Sequence, residues 1–161
     1  MTRWGIGVQW ALGTLLYSAA VFGLQRAYLP DLDIMPIPAL VALTTGIILV
    51  AAGLALYIAA IRQVRAALHQ RKLVTDGVYA YVRHPIYASF TLLIVPGIAI
   101  MVRSVLGLSV PVVMYLLLRA LIGKEEAHLE QQFGDEYVRY RDRANLVFPR
   151  LRRVSDEEES A

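Results

Sequence analysis

The stretch IPALVALTTGIILVAAGLALYIAAI, residues 37–61, decides the fold class. It carries no charged residue, and a helix needs about 20 apolar residues to cross a hydrocarbon core of roughly 30 Å. Similar apolar runs occupy about residues 4–24, 86–102 and 105–122, and 57% of the 161 residues are hydrophobic. The sequence therefore predicts an all-α integral membrane helical bundle with about four transmembrane helices, which is one membrane domain over 1–161.

Small residues and proline indicate how these spans pack. Gly46 and Gly53 in the second span permit a close approach between helices. Pro96 and Gly97 predict a kink in the third span. Because the third and fourth spans are separated by only two residues, 103–104, they are expected to form a tight helical hairpin.

Lys and Arg are distributed unevenly between the connecting segments. The loop at 62–85 carries five and the tail from Lys124 carries seven, whereas the turns at 26–35 and 103–104 carry one each. The positive-inside rule then predicts a multi-pass protein with both termini cytoplasmic. The tail begins with a helical pattern that Gly134 is expected to interrupt, which predicts a cytoplasmic C-terminal helical segment.

Composition excludes several kinds of site. The chain has no cysteine, which rules out disulfides, thiolate metal ligands and a cysteine nucleophile. The basic residues flank apolar spans, so membrane orientation explains them and nucleic acid is not expected as a partner. Glu125 and His128 have a Glu-x-x-His spacing, but no second pair or further carboxylate lies within a span, so no metal is expected. Membrane lipids are the expected surroundings.

The basic loop concentrates polar and aromatic residues at the mouth of the third span. It reads Gly77-x-Tyr79-x-x-x-Arg83-His84-Pro85-x-Tyr87. One interpretation is an interfacial aromatic belt in which Arg83 follows the positive-inside rule and Pro85 starts a helix. The other is a polar ligand site.

A second cluster follows the fourth span and reads Glu125-Glu126-x-x-Leu129-x-x-x-Phe133-Gly134-x-Glu136-Tyr137-x-x-Tyr140. An amphipathic surface helix with solvated acids is one interpretation. However, the hairpin returns both clusters to the same membrane face, where a basic, aromatic loop can meet a pair of carboxylates. Opposite charges at such a boundary are typical of a polar ligand site.

Together the two motifs, in this order and about 38 residues apart, resemble the isoprenylcysteine carboxyl methyltransferase family. Phospholipid methyltransferases look related. The resemblance covers about residues 71–149, roughly half of the chain. It implies an integral membrane enzyme that transfers a methyl group from S-adenosylmethionine to a lipophilic small-molecule or lipid acceptor.

The resemblance also implies a set of site residues. The cofactor would lie among Lys72, Leu73, Val74, Tyr79, His84, Pro85, Tyr87 and Glu125. The cofactor's carboxylate suits His or Arg, its ammonium and ribose hydroxyls suit Glu, and its sulfonium suits an aromatic face. Glu126 and Arg83 are the candidate catalytic residues, and Glu126 is the nearest candidate for a general base. Arg119 either extends to the interface or contacts a substrate headgroup.

The acceptor and the reaction class have alternatives. Eukaryotic members of the family have Arg four residues before the first Glu of the pair, and this chain has Leu121 there. Phospholipid N-methylation and small-thiol S-methylation are therefore kept beside a prenylated acid. Two further alternatives are an NADPH-dependent sterol-reductase-like membrane enzyme and a membrane scaffold without catalysis. The oligomeric state is not predicted.

Overall fold

The computed structural model describes residues 6–28, 34–70 and 72–149, with the backbone alone at 68–70. Within these residues the regular secondary structure is entirely helical and no strand occurs, which confirms the predicted all-α membrane bundle. The predicted start of the first span at Trp4 and the acidic SDEEES end lie outside the described residues. The α-helices are α1 (Ile6–Tyr28), α2 (Ala39–Gln70), α3 (Pro85–Ala88), α4 (Val95–Met101), α5 (Ser109–Leu121), α6 (Gly123–Phe133) and α7 (Asp135–Arg143).

Two of the described helices, Ile6–Tyr28 and Ala39–Ala67, are long and apolar enough to cross a membrane. A third crossing results if Leu106–Leu121 and Gly123–Phe133, bent by 45°, form one broken span. The apolar helical run Pro85–Met101 is shorter. The chain is therefore a membrane protein, and its predicted number of about four crossings stays a prediction.

Two compact units make up the chain, and several helices contribute to both. The first unit consists of Met1–Gly53 and Phe90–Glu125, and the second consists of Leu54–Ser89 and Glu126–Ala161. The prediction of a single domain is not tested by this division and stays a prediction.

Hydrogen bonds join α1 and α5 inside the first unit. The indole Nε1 of buried Trp10 donates to the backbone oxygen of Met114 at 2.8 Å, and the hydroxyl of Tyr17 bonds to that of Ser109 at 3.0 Å. Hydrogen bonds between helices are important in lipid, because lipid tails are as apolar as the side chains and the hydrophobic effect does not drive helices together. Trp10 and Tyr17 therefore fix the orientation of α1 on α5.

Glycines bring α2 close to α4 in the first unit. A Cβ added at Gly46 would lie 2.6 Å from the backbone oxygen of Gly97. At Gly53 an added Cβ would lie 2.6 Å from Cγ1 of Ile94. The close packing predicted for Gly46 and Gly53 is confirmed.

The helical run that begins at Pro85 contains an irregularity that the sequence did not predict. Residues Ser89–Ile94 form a π-helix between α3 and α4, and Pro96 lies in the first turn of α4. Proline removes one backbone donor and its ring crowds the preceding turn, and a wider π-turn is one way to accommodate such a disruption. The kink predicted at Pro96 and Gly97 stays a prediction, and the π-helix before it is a feature that the sequence did not predict.

A left-handed residue makes the turn after α4. Arg103 has φ 56°, and its Nη2 donates to the backbone oxygen of Met35 at 3.0 Å. The Met35 amide donates in return to the Arg103 carbonyl at 2.8 Å. This pair of bonds offsets the strain of a non-glycine residue at positive φ, and the predicted tight turn is present.

The end of α2 and the start of α5 differ from the predictions, whereas the break at Gly134 does not. α2 continues to Gln70 instead of ending near 61, because Arg side chains are strong helix formers and no glycine or proline stops the helix there. A 3₁₀ turn at Leu106–Leu108 precedes α5. The predicted interruption at Gly134 is confirmed: this residue has φ 58° and separates α6 from α7.

Candidate functional site

The loop that carries the first motif is anchored to α2 within the second unit. Its 3₁₀ turn, Gly77–Ala80, begins with Gly77, whose φ is 57°. The amide of Val78 donates to Oε1 of Gln63 at 3.3 Å, and a Cβ at Gly77 would collide with the Gln63 side chain. Both the backbone conformation and the space therefore require glycine at this position.

Backbone hydrogen bonds fasten the end of this loop to the segment after α7. The amides of Arg83 and His84 donate to the carbonyls of Asn145 and Leu146 at 2.8 and 3.1 Å. Val82 and Asn145 form a parallel bridge. Arg83 and His84 are therefore positioned by the main chain.

Tyrosines on α7 form the apolar core beneath this loop. Tyr137 and Tyr140 are buried with Ala144 and pack at their edges, with ring centroids 6.4 Å apart. The Tyr140 hydroxyl donates to the carbonyl oxygen of Tyr79 at 2.7 Å. Three partly buried hydrophobic residues surround this core: Leu73, Leu129 and Phe133.

A charged cluster lies in the same unit and contains both candidate catalytic residues. Nη2 of Arg83 is 3.1 Å from Oε1 of Glu126, and Nε2 of His84 is 3.4 Å from the same oxygen. Nη1 of Arg83 donates to the backbone oxygen of Arg141 at 2.7 Å. Arg83 thus connects the carboxylate on α6 to the backbone of α7, and the first motif meets the second as the hairpin argument predicted.

The surroundings of Glu126 favour its charged form. Burial alone raises the pKa of this carboxyl, but the close contact with His84 and the charges of Arg83, His84 and Arg141 outweigh that effect. The net result is a pKa below the ordinary value of 4.5. A carboxylate with a lowered pKa is a weak base and a good partner for cations.

The remaining predicted residues of the loop lie in different environments. The His84 and Tyr87 rings are 6.0 Å apart, and Pro85 is buried in the first turn of α3. Tyr79 is buried and Val74 is partly buried, whereas Lys72 is exposed. Leu73 packs on the tyrosine core, so part of its environment is structural.

Glu125 and Arg119 belong to the first unit. Glu125 is partly buried in the first turn of α6, and Arg119 is exposed near the end of α5. Adjacent residues on a helix point in different directions, so Glu125 and Glu126 do not face the same surroundings. The roles predicted for Glu125 and Arg119 stay predictions.

Sequence reasoning gave no role to Gln63, Tyr137 or Arg141. Gln63 supports the 3₁₀ turn, Arg141 adds a positive charge near Glu126, and Tyr137 is 1% exposed beside that carboxylate. Tyr137 was visible as part of the second motif, but nothing in a linear pattern shows which tyrosine faces a carboxylate. Gln63 and Arg141 stand outside both motifs.

Comparison with known proteins adds the family. A family model described as phospholipid methyltransferase matches residues 41–136, which is more than half of the chain. The chain belongs to the phospholipid methyltransferase family. The predicted resemblance is confirmed, and the matched region of this methyltransferase family includes Arg83, His84 and Glu126.

Three curated proteins similar to this chain are named protein-S-isoprenylcysteine O-methyltransferase, one of them with the suffix B. The Schizosaccharomyces pombe protein is 39% identical over 77 residues, which are 48% of this chain and 33% of the relative. The B form from Arabidopsis thaliana is 36% identical over 78 residues, 48% of this chain and 40% of the relative. The Homo sapiens protein is 30% identical over 82 residues, 51% of this chain and 29% of the relative.

Each of these matches spans less than half the length of the relative. No solved structure matches the chain significantly. Family membership and a methyl donor follow from the comparisons, whereas the acceptor and the activity of the whole protein are matters of proposal.

Proposed function

We propose that this chain is an integral membrane methyltransferase that uses S-adenosylmethionine and methylates the carboxylate of a lipophilic, isoprenylcysteine-like acceptor. The observation that carries the proposal is the ion pair of Arg83 with Glu126, with His84 beside it, inside the region matched by the family. A surface helix with solvated acids would not place this carboxylate beside an arginine, a histidine and a buried tyrosine.

The donor set of the cluster fits the cofactor. Oε1 of Glu126 and Nε of Arg83 are buried, and no described residue completes a hydrogen bond with either atom. Buried polar atoms of this kind are able to form a hydrogen bond with a bound ligand. His84 or Arg83 suits a ligand carboxylate, Glu126 suits an ammonium or a hydroxyl, and the Tyr87 ring suits a sulfonium cation.

When bound, S-adenosylmethionine supplies an electrophilic methyl group on a positively charged sulfur. The protein's own contribution is alignment, water exclusion and electrostatics. Arg83 holds the acceptor's negative charge, and Glu126 keeps the Arg83 side chain in place. Lys72, Leu73, Val74, Tyr79, Pro85 and Glu125 enter the cofactor site by resemblance, as does Arg119 at the substrate.

The acidity of Glu126 favours a carboxylate acceptor. A carboxylic acid is already ionised at neutral pH and needs no general base, whereas a protonated amine or a thiol has to lose a proton before it attacks. Because the pKa of Glu126 is lowered, this side chain is poorly suited to accept that proton. The names of the curated relatives point to the same chemistry.

Phospholipid N-methylation is the second candidate, since the matching family model is described as phospholipid methyltransferase. The acceptors separate the two activities. Detergent-purified protein is given methyl-labelled S-adenosylmethionine with either S-farnesyl-N-acetylcysteine or phosphatidylethanolamine vesicles. We expect label in a base-labile methyl ester of the farnesyl compound, and label in the phospholipid alone would contradict the carboxylate proposal.

Cofactor binding is tested separately by calorimetric titration. We expect S-adenosylmethionine and S-adenosylhomocysteine to bind and NADPH not to bind, whereas the reverse would support a reductase. His84→Ala or Glu125→Gln should weaken S-adenosylmethionine binding by about one to two powers of ten, because each removes a hydrogen bond to a charged group. The exposed Glu136 on α7 provides the control, and equal affinities of Glu125→Gln and Glu136→Gln would remove Glu125 from the site.

Finally, we propose a multi-pass arrangement with both termini in the cytoplasm. The asymmetry of Lys and Arg between alternate connecting segments supports this orientation. It places the motif that contains Arg83 and His84 at the cytoplasmic boundary.

A further inference from the structure

Tyr137 is a buried polar group whose role the mechanism above leaves open. Its side chain is 1% exposed, and no described residue meets hydrogen-bond geometry with its hydroxyl. A buried hydroxyl without a hydrogen bond is destabilising, because nothing compensates for the loss of its contact with water. Tyr140, on the same helix, differs because its hydroxyl donates a hydrogen bond to the carbonyl of Tyr79 at 2.7 Å.

The Glu126 carboxylate is the one acidic group among those that act on the Tyr137 phenol. The two groups interact, since burial and then the negative charge of Glu126 raise the pKa of the Tyr137 phenol. The phenol therefore stays protonated and is able to donate. Oε1 of Glu126 is buried and likewise lacks a hydrogen bond of good geometry with any described residue.

The other groups that act on the Glu126 carboxylate come from the loop and from α7. Arg83 and His84 approach from the loop at 3.1 and 3.4 Å. Arg141 contributes a positive charge from α7, and its guanidinium is held by Glu130 of α6 at 2.7 Å. Arg83 and Arg141 are cations and His84 is an imidazole, whereas Tyr137 brings a neutral hydroxyl donor to Glu126.

We infer that Tyr137 is a positioning residue for Glu126: its hydroxyl donates a hydrogen bond to the carboxylate and directs it toward Arg83 and His84. This hydrogen bond satisfies two buried polar atoms at once. Its value for methyl transfer rests on the proposed function, because Glu126 in turn holds Arg83. The contact itself does not depend on that function.

The test is a pH titration of Glu126 in the purified full-length chain by infrared spectroscopy. The protonated carboxyl band of Glu126 is identified as the band that disappears in Glu126→Gln. In Tyr137→Phe, which keeps the ring, we expect the carboxylate's proton affinity to rise about tenfold, because a donor to the charged form has been removed. In the matched control, Tyr140→Phe, we expect an unchanged Glu126 titration and a lower unfolding temperature.

A second variant strengthens the hydrogen-bond donor at position 137 instead of removing it. Site-specific 3-fluorotyrosine at position 137 has a more acidic phenol and is a stronger donor, so the Glu126 titration should move to lower pH. It also keeps the test available if Tyr137→Phe does not fold. A Glu126 titration unchanged in both Tyr137 variants, or shifted equally in Tyr140→Phe, would overturn the inference.

The same samples separate this inference from the proposed function. If the Glu126 titration shifts in Tyr137→Phe but the wild-type protein transfers no methyl group, the proposed function fails and the positioning role stands. If methyl transfer is observed and the titration does not shift, the positioning role fails alone. Where both hold, Tyr137→Phe should lower kcat most strongly on the acid side of the pH profile, and it should have no further effect in the Glu126→Gln background.

Discussion

A methyl group at Gly46 tests the helix packing of the first unit most directly. In Gly46→Ala the added Cβ would lie 2.6 Å from the Gly97 carbonyl oxygen. Such contacts are essentially never found below 3.0 Å, so α2 and α4 have to separate. Overpacking of this kind costs about 1 to 3 kcal/mol. For a chain of this size, a loss of about 2 kcal/mol corresponds to a decrease in unfolding temperature of roughly 4 to 8 °C.

The assay is thermal unfolding of the detergent-solubilised protein, followed by circular dichroism. Gly23→Ala is the matched control, because an added Cβ there meets no described atom within 4 Å and alanine is the better helix former. We expect Gly23→Ala to unfold at the wild-type temperature or slightly above it. If Gly46→Ala and Gly23→Ala unfold at the same temperature, the argument from the close approach of α2 and α4 is wrong.

Three further predictions concern the bilayer, the orientation and the charged cluster. Trp10→Phe removes the 2.8 Å bond to the Met114 carbonyl and should lower the free energy of unfolding by about 0.5 to 2 kcal/mol in a chemical denaturation series; an unchanged midpoint would show that the bond contributes nothing. Cysteines introduced at Lys124 and Val105 should be labelled from opposite sides of the membrane by an impermeant maleimide, and labelling from one side would contradict the proposed topology. Because the pKa of Glu126 is lowered from 4.5, its stabilising contribution is present above that pH and is lost as the pH falls through the folded-state value. The difference in unfolding free energy between wild type and Glu126→Gln should therefore shrink in acid, and a difference that grows in acid would reverse the assigned direction.

Much of the fold was predictable because its signals are local. The long apolar runs predicted α1 and α2, and Gly134 predicted the break before α7. The π-helix at Ser89–Ile94 was not predictable, since its residues have the same composition as an ordinary membrane helix. Its cause involves the disruption near Pro96, and composition alone does not show how far such a disruption extends.

The candidate site was predictable in outline for a different reason. A short hairpin returns the first motif and the second to one side, so the proximity of Arg83 to Glu126 follows from connectivity. The choice between adjacent carboxylates did not follow, because it depends on the rotation of α6 about its axis. The part played by Tyr137 depends on that same rotation, and a motif written as letters does not contain it.

The bonds from the Arg83 and His84 amides to the Asn145 and Leu146 carbonyls have a consequence for sequence variation. Because every residue has a carbonyl, positions 145 and 146 are free to vary in side chain while still holding the motif in place. Position 85 needs no such bond and is occupied by proline, which has no amide to donate. Proline at 83 or 84 would remove a donor that no substitution elsewhere can restore. A saturation library should therefore accept most residues at 145 and 146 and should reject proline at 83 and 84 even where a change of side chain is tolerated.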